Sequence, residues 1–453
     1  MNIRDKRNAI GLSQSKLAEL SGIDQAKISS HELGKNLLSI EDLKKVCDTL
    51  SNLDESKVKQ ISKKRYSKVS DGKSVLNERA PRSYEQTARN PEYINNLRKL
   101  AESFNASTSK NAPRALSFFA GCGGLCYGIK AAGFNIVGTN ELVDGYRHIY
   151  KANFPNANFL PNDIKSIAVD DLKEFSDIDL LIGGPPCQGF SLAGKRDVND
   201  ERNTLFKYYL DIADQVRPKV ILMENVKLLT SMKDPDGAYV KDRILDVFKT
   251  HGYISKFFEV NAKNYGVPQH RERVFFIGVR EDLSLDPSFP EPTFCEEDDL
   301  FSSKPFTFGD AVSDLQFIES GEACKEDIYH EAVKHPEHVI RWLVDVPEGR
   351  SAHDNEDEKL RPPSGYNTTY KRQVWNEPAG TVATTFSMIS GCRNVHPIAT
   401  RSLTIREALR LQSFPDSFKL TGKLGDVRTA IGNAVPPLLA YAIGLHLRKN
   451  YIL

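Results

Sequence analysis

From Arg114 onward, five short and mostly apolar runs recur with helical segments between them: residues 115–119, 135–139, 178–182, 220–223 and 274–279. Each has strand length, and glycine-rich or polar turns bound it, as expected of strands buried inside a sheet. Parallel strands need a crossover, and a helix supplies it, so the alternation predicts a doubly wound α/β sheet. Such sheets bind ligands beyond the carboxyl ends of their strands. The residues just past each run are therefore where chemistry is expected.

Those residues carry chemical groups. Gly183-Gly184-Pro185-Pro186-Cys187-Gln188-Gly189-Phe190-Ser191 follows the third run. A lone cysteine at a strand end more often reads as a small buried side chain, but this one has companions. Glu224-Asn225-Val226 ends the fourth run, and Gln269-His270-Arg271-Glu272-Arg273 leads into the fifth. Phe119-Ala120-Gly121-Cys122-Gly123-Gly124 follows the first, Glu141 closes the second, and Gly432-Asn433-Ala434-Val435-Pro436-Pro437 lies near the C-terminus. In this order and at these intervals the set closely resembles the DNA (cytosine-5)-methyltransferase family. The resemblance runs from about Arg114 to the C-terminus, apart from a variable segment near residues 285–375.

The resemblance implies a Rossmann-like, S-adenosylmethionine-dependent methyltransferase sheet with a smaller, irregular target-recognition domain. It implies a reaction at C5 of cytosine, which is too weakly nucleophilic to take a methyl group unaided. A thiolate added at C6 makes C5 enamine-like, and Cys187 is the candidate nucleophile. Glu224 would hold a proton near N3 of the base if a dry pocket raised its pKa. Arg271 is expected at the base, whereas Arg273 is expected to brace the catalytic loop or a carboxylate, and Gln269 fits either role. For the cofactor S-adenosyl-L-methionine, the resemblance implies Phe119 on the adenine, Gly121 and Gly123 in the tight turn, and Glu141 on the ribose. Asp163 and Ile164 would reach the adenine edge, with Leu205, Asn433 and Val435 completing the pocket. Leu142 departs from the tryptophan that many relatives carry. The polar segment 192–203 after the nucleophile looks like a loop that closes over a base flipped from the duplex.

The first fifty residues read differently. Ser13, Asp24 and Ser39 each precede a short run with helical spacing, and Gly22 and Gly34 act as stops. Two short helices joined at Gly22-Ile23 fit a helix-turn-helix, similar to the phage-repressor type; a small helical docking module is the plainer alternative. In the DNA-binding reading, Gln25, Ala26, Ser29 and Ser30 face the major groove. Residues 52–113 carry Lys57, Lys59, Lys63, Lys64, Arg65 and Lys68 and read as a flexible basic linker, with a helix through 92–100 as an option.

With 453 residues the chain exceeds one ordinary domain, and its net charge of +1 says little about local patches. The division expected is 1–51 helix-turn-helix, 52–113 linker, 114–285 catalytic, 286–424 target recognition, and 425–453 returning to the catalytic domain. Within the recognition part, 364–372 is best suited to meet DNA, with Lys371 and Arg372 as its cations. The acidic runs 296–299 and 354–358 sit awkwardly there. Seven cysteines without regular spacing point to no disulfide framework and no zinc site, and no apolar run has membrane length, so a cytoplasmic or nucleoid location is expected. Expected partners are duplex DNA at a methylation site and at an operator, bound as a monomer at the first, with a dimer as an option at the second. A cognate restriction endonuclease would share the site without touching the chain. The alternatives are a tRNA cytosine-5 methyltransferase, which shares the fold, and a DNA-binding repressor with an inert methyltransferase half.

Overall fold

A computed structural model describes residues 3–9, 12, 14–32, 38–52, 76, 83–84, 91–106, 109, 111–186, 205–234, 236–296 and 303–452. Cys187 and the segment 192–203 lie outside the described residues. The chain divides into two compact units, Met1–Arg79 and Ala80–Leu453.

The first unit is all-helical: α1 (Ile3–Ala9), α2 (Gln14–Ser21), α3 (Gln25–Glu32) and α4 (Ile40–Ser51). Ile3, Leu12, Leu17, Ile23, Ile28, Val46 and Leu50 form its core. Gly22, at φ +71°, makes the turn between α2 and α3, where a side chain would be strained. Ser39 caps α4 by accepting from the Asp42 amide. Helix α1 lies outside the three runs marked by Ser13, Asp24 and Ser39. It is fastened to α3 by Arg7, whose guanidinium reaches both oxygens of Glu32 at 2.8 and 2.9 Å, with Gln14 donating to the same carboxylate at 2.7 Å.

The second unit is built on a six-stranded sheet: β1 (Arg114–Phe118), β2 (Asn135–Thr139), β3 (Leu180–Gly183), β4 (Val220–Val226), β5 (Tyr253–Asn261) and β6 (Glu272–Arg280). The spatial order is β2-β1-β3-β4-β6-β5. The first four strands are parallel; β6 runs antiparallel to β4, and β5 antiparallel to β6. Alternate side chains serve two cores. Ala115, Leu180, Ile182, Val220, Leu222, Phe275 and Ile277 belong to one, and Leu116, Phe118, Leu181, Ile221, Met223, Val274 and Phe276 to the other. Burial on both faces is why these strands read as nearly continuous apolar runs. The strand order reverses at β1, which lies between β2 and β3, and it is at such a reversal that sheets of this kind open a crevice for a ligand.

Eight further helices are used below: α5 (Glu92–Asn105), α6 (Gly124–Ala131), α7 (Asp144–Asn153), α8 (Leu205–Val216), α9 (Val240–Thr250), α10 (Ile405–Leu411), α11 (Leu424–Asn433) and α12 (Pro437–Leu447). Phe206, Tyr209 and Leu210 of α8 and Ile244 and Phe248 of α9 pack in one core. Helices α6 and α12 pack in the other. A side chain at Gly128 would strike the backbone of Pro437 and Tyr441, so the glycine lets α12 lie against α6. The C-terminal segment thus returns to the catalytic sheet.

The expected linker is only partly a linker. Tyr93, Leu97, Leu100 and Phe104 of α5 are buried, and Phe104 stacks on Tyr127 at 3.9 Å between ring centroids. Tyr84, only 4 % exposed, sits between Phe317 and Trp375 at 5.1 and 5.0 Å and shares a 2.9 Å hydrogen bond with His396. Apolar area supplies the reason: these aromatics complete the core of the second unit.

Residues 303–424 carry little regular structure and hold a buried polar core. Arg401 and Glu407 are fully buried and paired at 2.7 and 2.8 Å. Thr404 caps α10 in a capping box with Glu407. Helix α10 is not amphipathic, because Arg406, Glu407 and Arg410 are buried with its apolar residues. The acidic run near 354–358 is spent locally: Asp354 accepts from the Ser351 amide at 3.0 Å and Asp357 from that of Lys359 at 2.9 Å. Among the described residues, no single helix is long and apolar enough to cross a membrane.

Candidate active site

Glu224 lies within the last turns of β4, opposite Phe275 of β6. Arg273 lies opposite Val226, so the two are diagonal neighbours on one face of an antiparallel pair. Arg273 Nε stands 3.0 Å from Glu224 Oε1, with both side chains largely buried. Burial pushes the Glu224 carboxyl above its ordinary range, against the opposing pull of Arg273 and then Arg271. The same burial lowers the Arg273 guanidinium, which Glu224 offsets. This carboxyl is therefore fit to hold a proton in a dry site.

Asn225, one residue on, points the other way. Its Nδ2 donates to the carbonyl of Pro185 at 2.9 Å, tying β4 to the Gly184-Pro185-Pro186 turn that leads to Cys187. A side chain at Gly184 would come within 3.0 Å of Glu224 Oε2, so glycine is needed for the turn to pass the carboxylate.

Arg271 is placed elsewhere than expected. It is fully buried, and its guanidinium donates to the carbonyl of Gly432 at 2.9 Å and to that of Val382 at 3.4 Å. It lies just outside β6, so its side chain spans to the start of the C-terminal segment and does not reach open space. Arg273 braces a carboxylate, as expected, and that carboxylate is Glu224. Gln269 is a joint: it donates to Leu411 O and Gln412 Oε1 and accepts from the Val382 amide.

A second cluster forms at the ends of β1 and β2. Phe119 and Gly121 both have positive φ, 54° and 58°, turning the chain sharply off β1. Gly121 faces open space, and its amide donates to Glu141 Oε2 at 2.8 Å; Glu141 Oε1 accepts from Val143 at 2.8 Å. Burial raises the Glu141 pKa, and these backbone donors oppose it. Asn140 donates to the carbonyls of Pro161 and Asn162 at 2.5 and 2.9 Å, bringing Asp163 and Ile164 alongside. Asp163 is exposed and caps the short turn that follows it, whereas Ile164 is buried. Arg147 bonds to both Asn162 Oδ1 and Glu141 O, and its guanidinium lies 4.3 Å above the Phe159 ring. Neither it nor Asn140 was singled out from sequence.

On the third side, Cys122 Sγ reaches Ala430 O at 3.5 Å, and a side chain at Gly124 would strike the Val435 carbonyl. Asn433 is exposed at the end of α11, Val435 is nearly buried, and Leu205 is half-buried at the start of α8. Gly123 stands in the same tight turn at φ +95°, its amide donating to the Ala120 carbonyl, and Tyr150 and Phe154 fill the space a side chain would need. Leu142 is 63 % exposed beside this crevice. An open backbone at Gly121 and a buried carboxylate at Glu141 with lone pairs to spare suit the hydroxyls of a ribose, so the residues fit a nucleoside-bearing cofactor.

Residues 113–449 match the C-5 cytosine-specific DNA methylase family. The chain belongs to that family. It is a DNA (cytosine-5)-methyltransferase, with a helix-turn-helix family match over residues 3–55. The Type II methyltransferase M.DdeI of Desulfomicrobium norvegicum is 34% identical over 367 residues, covering 72% of this chain and 86% of that one. M1.HphI of Haemophilus parahaemolyticus is 36% identical over 335 residues, covering 72% and 84%. A solved structure described as a DNA modification methyltransferase encoded within an E. coli prophage aligns with TM-score 0.58 and 25% identity, over 75% of this chain and 99% of that one.

The expected DNA-contacting residues of the methyltransferase divide. Residues 363–368 are exposed, Tyr366 at 80 %. Lys371 is half-buried. Arg372 is a correction: it is 2 % exposed, and its guanidinium donates to the carbonyls of Leu343, His396 and Ala399 at 2.9, 2.8 and 2.7 Å. A cation ringed by inward-facing carbonyls organises the recognition region and has no face left for phosphate. In the N-terminal unit, Gln25, Ser29 and Ser30 lie on α3, Gln25 exposed and the serines half-buried; Ala26 is on the same helix, its side chain outside the described residues.

Proposed function

We propose that the enzyme transfers a methyl group from S-adenosyl-L-methionine to C5 of a cytosine extruded from duplex DNA, through a covalent bond between Cys187 and C6. The observation that carries this is the Glu224–Arg273 pair at the end of β4, tied by Asn225 to the turn that leads into Cys187. The Cys187 thiolate adds to C6, and the displaced electron pair moves toward N3 and O2. Glu224, whose pKa burial raises, delivers a proton to N3; Arg273 holds the carboxyl in place and offsets its charge once the proton has left. C5 is then enamine-like and is the methyl acceptor. Solvent takes the C5 proton, expulsion of the thiolate restores the aromatic ring, and N3 returns its proton to Glu224. Bound S-adenosylmethionine supplies an electrophilic methyl on a sulfonium. Phe119, Gly121, Glu141, Asp163, Ile164, Leu205, Asn433 and Val435 would hold it. A stacked base cannot offer C6 to a thiolate, so extrusion precedes attack.

Relatives that are Type II methyltransferases support a protective role against a cognate restriction endonuclease. The helix-turn-helix match and α3 support a second role, in which the N-terminal unit binds an operator and represses its own or the endonuclease genes.

A duplex carrying 5-fluorocytosine tests the mechanism, because fluorine at C5 cannot leave as a proton does. Wild type should form a denaturation-resistant complex with it, and Cys187→Ser should not. Normal turnover by Cys187→Ser would sink the covalent route.

A further inference from the structure

We propose that Arg393 clamps the DNA backbone phosphate that flanks the extruded cytosine. The proposal rests on the base-extrusion reading above. An open cleft adjoins the catalytic pair, lined by Val226, Lys227, His270, Arg273, Thr381 and Arg393 among others. Its cations are mostly committed. Lys227 lies 2.7 Å from Glu272 and 3.7 Å from Glu259, and Arg273 lies against Glu224. The His270 pKa is lowered, first by burial and then by Lys263. Arg393 is exposed, and no carboxylate among the described residues pairs with it.

Its backbone is also unusual. Arg393 has φ +45°, in the left-handed region, where a residue with a Cβ is strained. The strain is held in place from both sides: the Arg393 amide donates to Thr368 O at 3.2 Å, and Gln373 Nε2 donates to Arg393 O. The stem has a floor made for it, since a side chain at Gly380 would come within 3.3 Å of Arg393 Cδ. The bond to Thr368 also joins Arg393 to the exposed 363–368 segment. A free guanidinium fixed by strain at the rim of a reaction cleft is a site for an anion, and DNA supplies phosphate. The cleft leads to the carboxylate that meets the extruded base. The part of DNA along its mouth is therefore that nucleotide's own backbone, which favours phosphate over a neighbouring base edge.

The test uses the full chain and a duplex bearing its methylation site, mapped beforehand by bisulfite sequencing. Arg393→Ala should weaken duplex binding by about tenfold or more, the loss of one charge-assisted contact. It should lower the slope of log affinity against log salt by about one. Preference among sites should not change, and Arg393→Lys should be intermediate. A neutral methylphosphonate beside the target cytosine should weaken wild type equally and leave Arg393→Ala no weaker than on natural DNA. Gly380→Ala, which lifts the stem, should move binding in the same direction, and it serves if Arg393→Ala fails to fold. Unchanged affinity and salt slope in an Arg393→Ala protein overturn the clamp, as does a wild type indifferent to every flanking methylphosphonate. Altered preference at one base pair overturns it in favour of base reading. A wild type that transfers no methyl group to any DNA removes the underlying reading as well.

Discussion

Arg273 and Glu224 meet across β6 and β4 at 3.0 Å, while Arg271, two residues earlier, is locked to the carbonyls of Gly432 and Val382. The same residue type therefore does two jobs within one short motif. Arg273→Ala should reduce methyl transfer at least a hundredfold with little change in thermal stability. Arg271→Ala should destabilise the fold by about 2–4 kcal/mol, since it empties a buried volume and strands two carbonyls. Melting curves beside single-turnover rates check both; the assignment fails if Arg271→Ala is stable and inactive.

Burial raises the Glu224 pKa, so its protonated form persists to higher pH than an ordinary carboxyl allows. Methyl transfer that uses this proton should fall as pH rises through the raised value, with base extrusion controlled separately. Glu224→Gln should lose that limb and run at least tenfold slower at its best pH. A pH–rate profile of the same shape in both proteins would remove Glu224 from proton delivery.

Glu141 receives two backbone amides and retains lone pairs toward the crevice. Glu141→Ala and Phe119→Ala should each weaken S-adenosylmethionine binding by about 1–3 kcal/mol. Calorimetric titration that shows unchanged affinity in both would place the cofactor elsewhere.

Tyr84 and the buried face of α5 set the start of the catalytic unit near residue 80. A protein beginning at residue 80 should fold and methylate but no longer bind an operator. One beginning at residue 113 should aggregate or lose activity, because it exposes the partners of Tyr84, Tyr93, Leu97, Leu100 and Phe104. Equal activity in the two truncations would show that α5 is dispensable.

Histidines of the recognition region set an acid limit. His335 Nε2 accepts from the Ser402 amide and His396 Nδ1 from those of Ile398 and Ala399, so both must be neutral. Burial pushes His335 down to about 4 and His396 well below its ordinary value, each helped by Arg401. Folded pKa values below the unfolded ones mean that this stability is complete above the unfolded histidine pKa and declines as pH falls. For His335 the decline runs from the ordinary histidine range down to about 4, at up to about 1.4 kcal/mol per pH unit. Urea unfolding at pH 7.5 and 5.0 reads it, and His335→Gln should show a shallower decline. Identical pH dependence in the two proteins would discharge His335.

Much of this was legible in the chain. The five strands announced themselves because both of their faces are buried. Strand β5 was passed over because Tyr253–Asn261 is an edge strand with lysine and glutamate among its aromatics and few fully buried residues. Glu224 was legible from its place at a strand end. The place of Arg271 was not, because it depends on how the chain at Val382 and Gly432 packs beside β6. Arg372 misled for a related reason: in a polar stretch a cation looks solvent-facing, and only the fold reveals the carbonyls around it. Arg393 carried no local mark at all, since a left-handed φ at a non-glycine residue leaves no trace in composition.

The contact between Cys122 and Ala430, 308 residues apart in sequence, has a consequence in time. Helix α6 and the glycine-rich turn before it are made about three hundred residues ahead of the segment from α11 to α12, and they stay uncovered until that segment is made. No nascent chain can assemble the crevice at Gly121 and Glu141 before then, and the sheet's first helix must wait with an apolar face uncovered. The N-terminal unit has its whole core within the first 52 residues and is under no such delay. Each newly made molecule therefore owns a finished helical N-terminal unit well before it owns a methyltransferase.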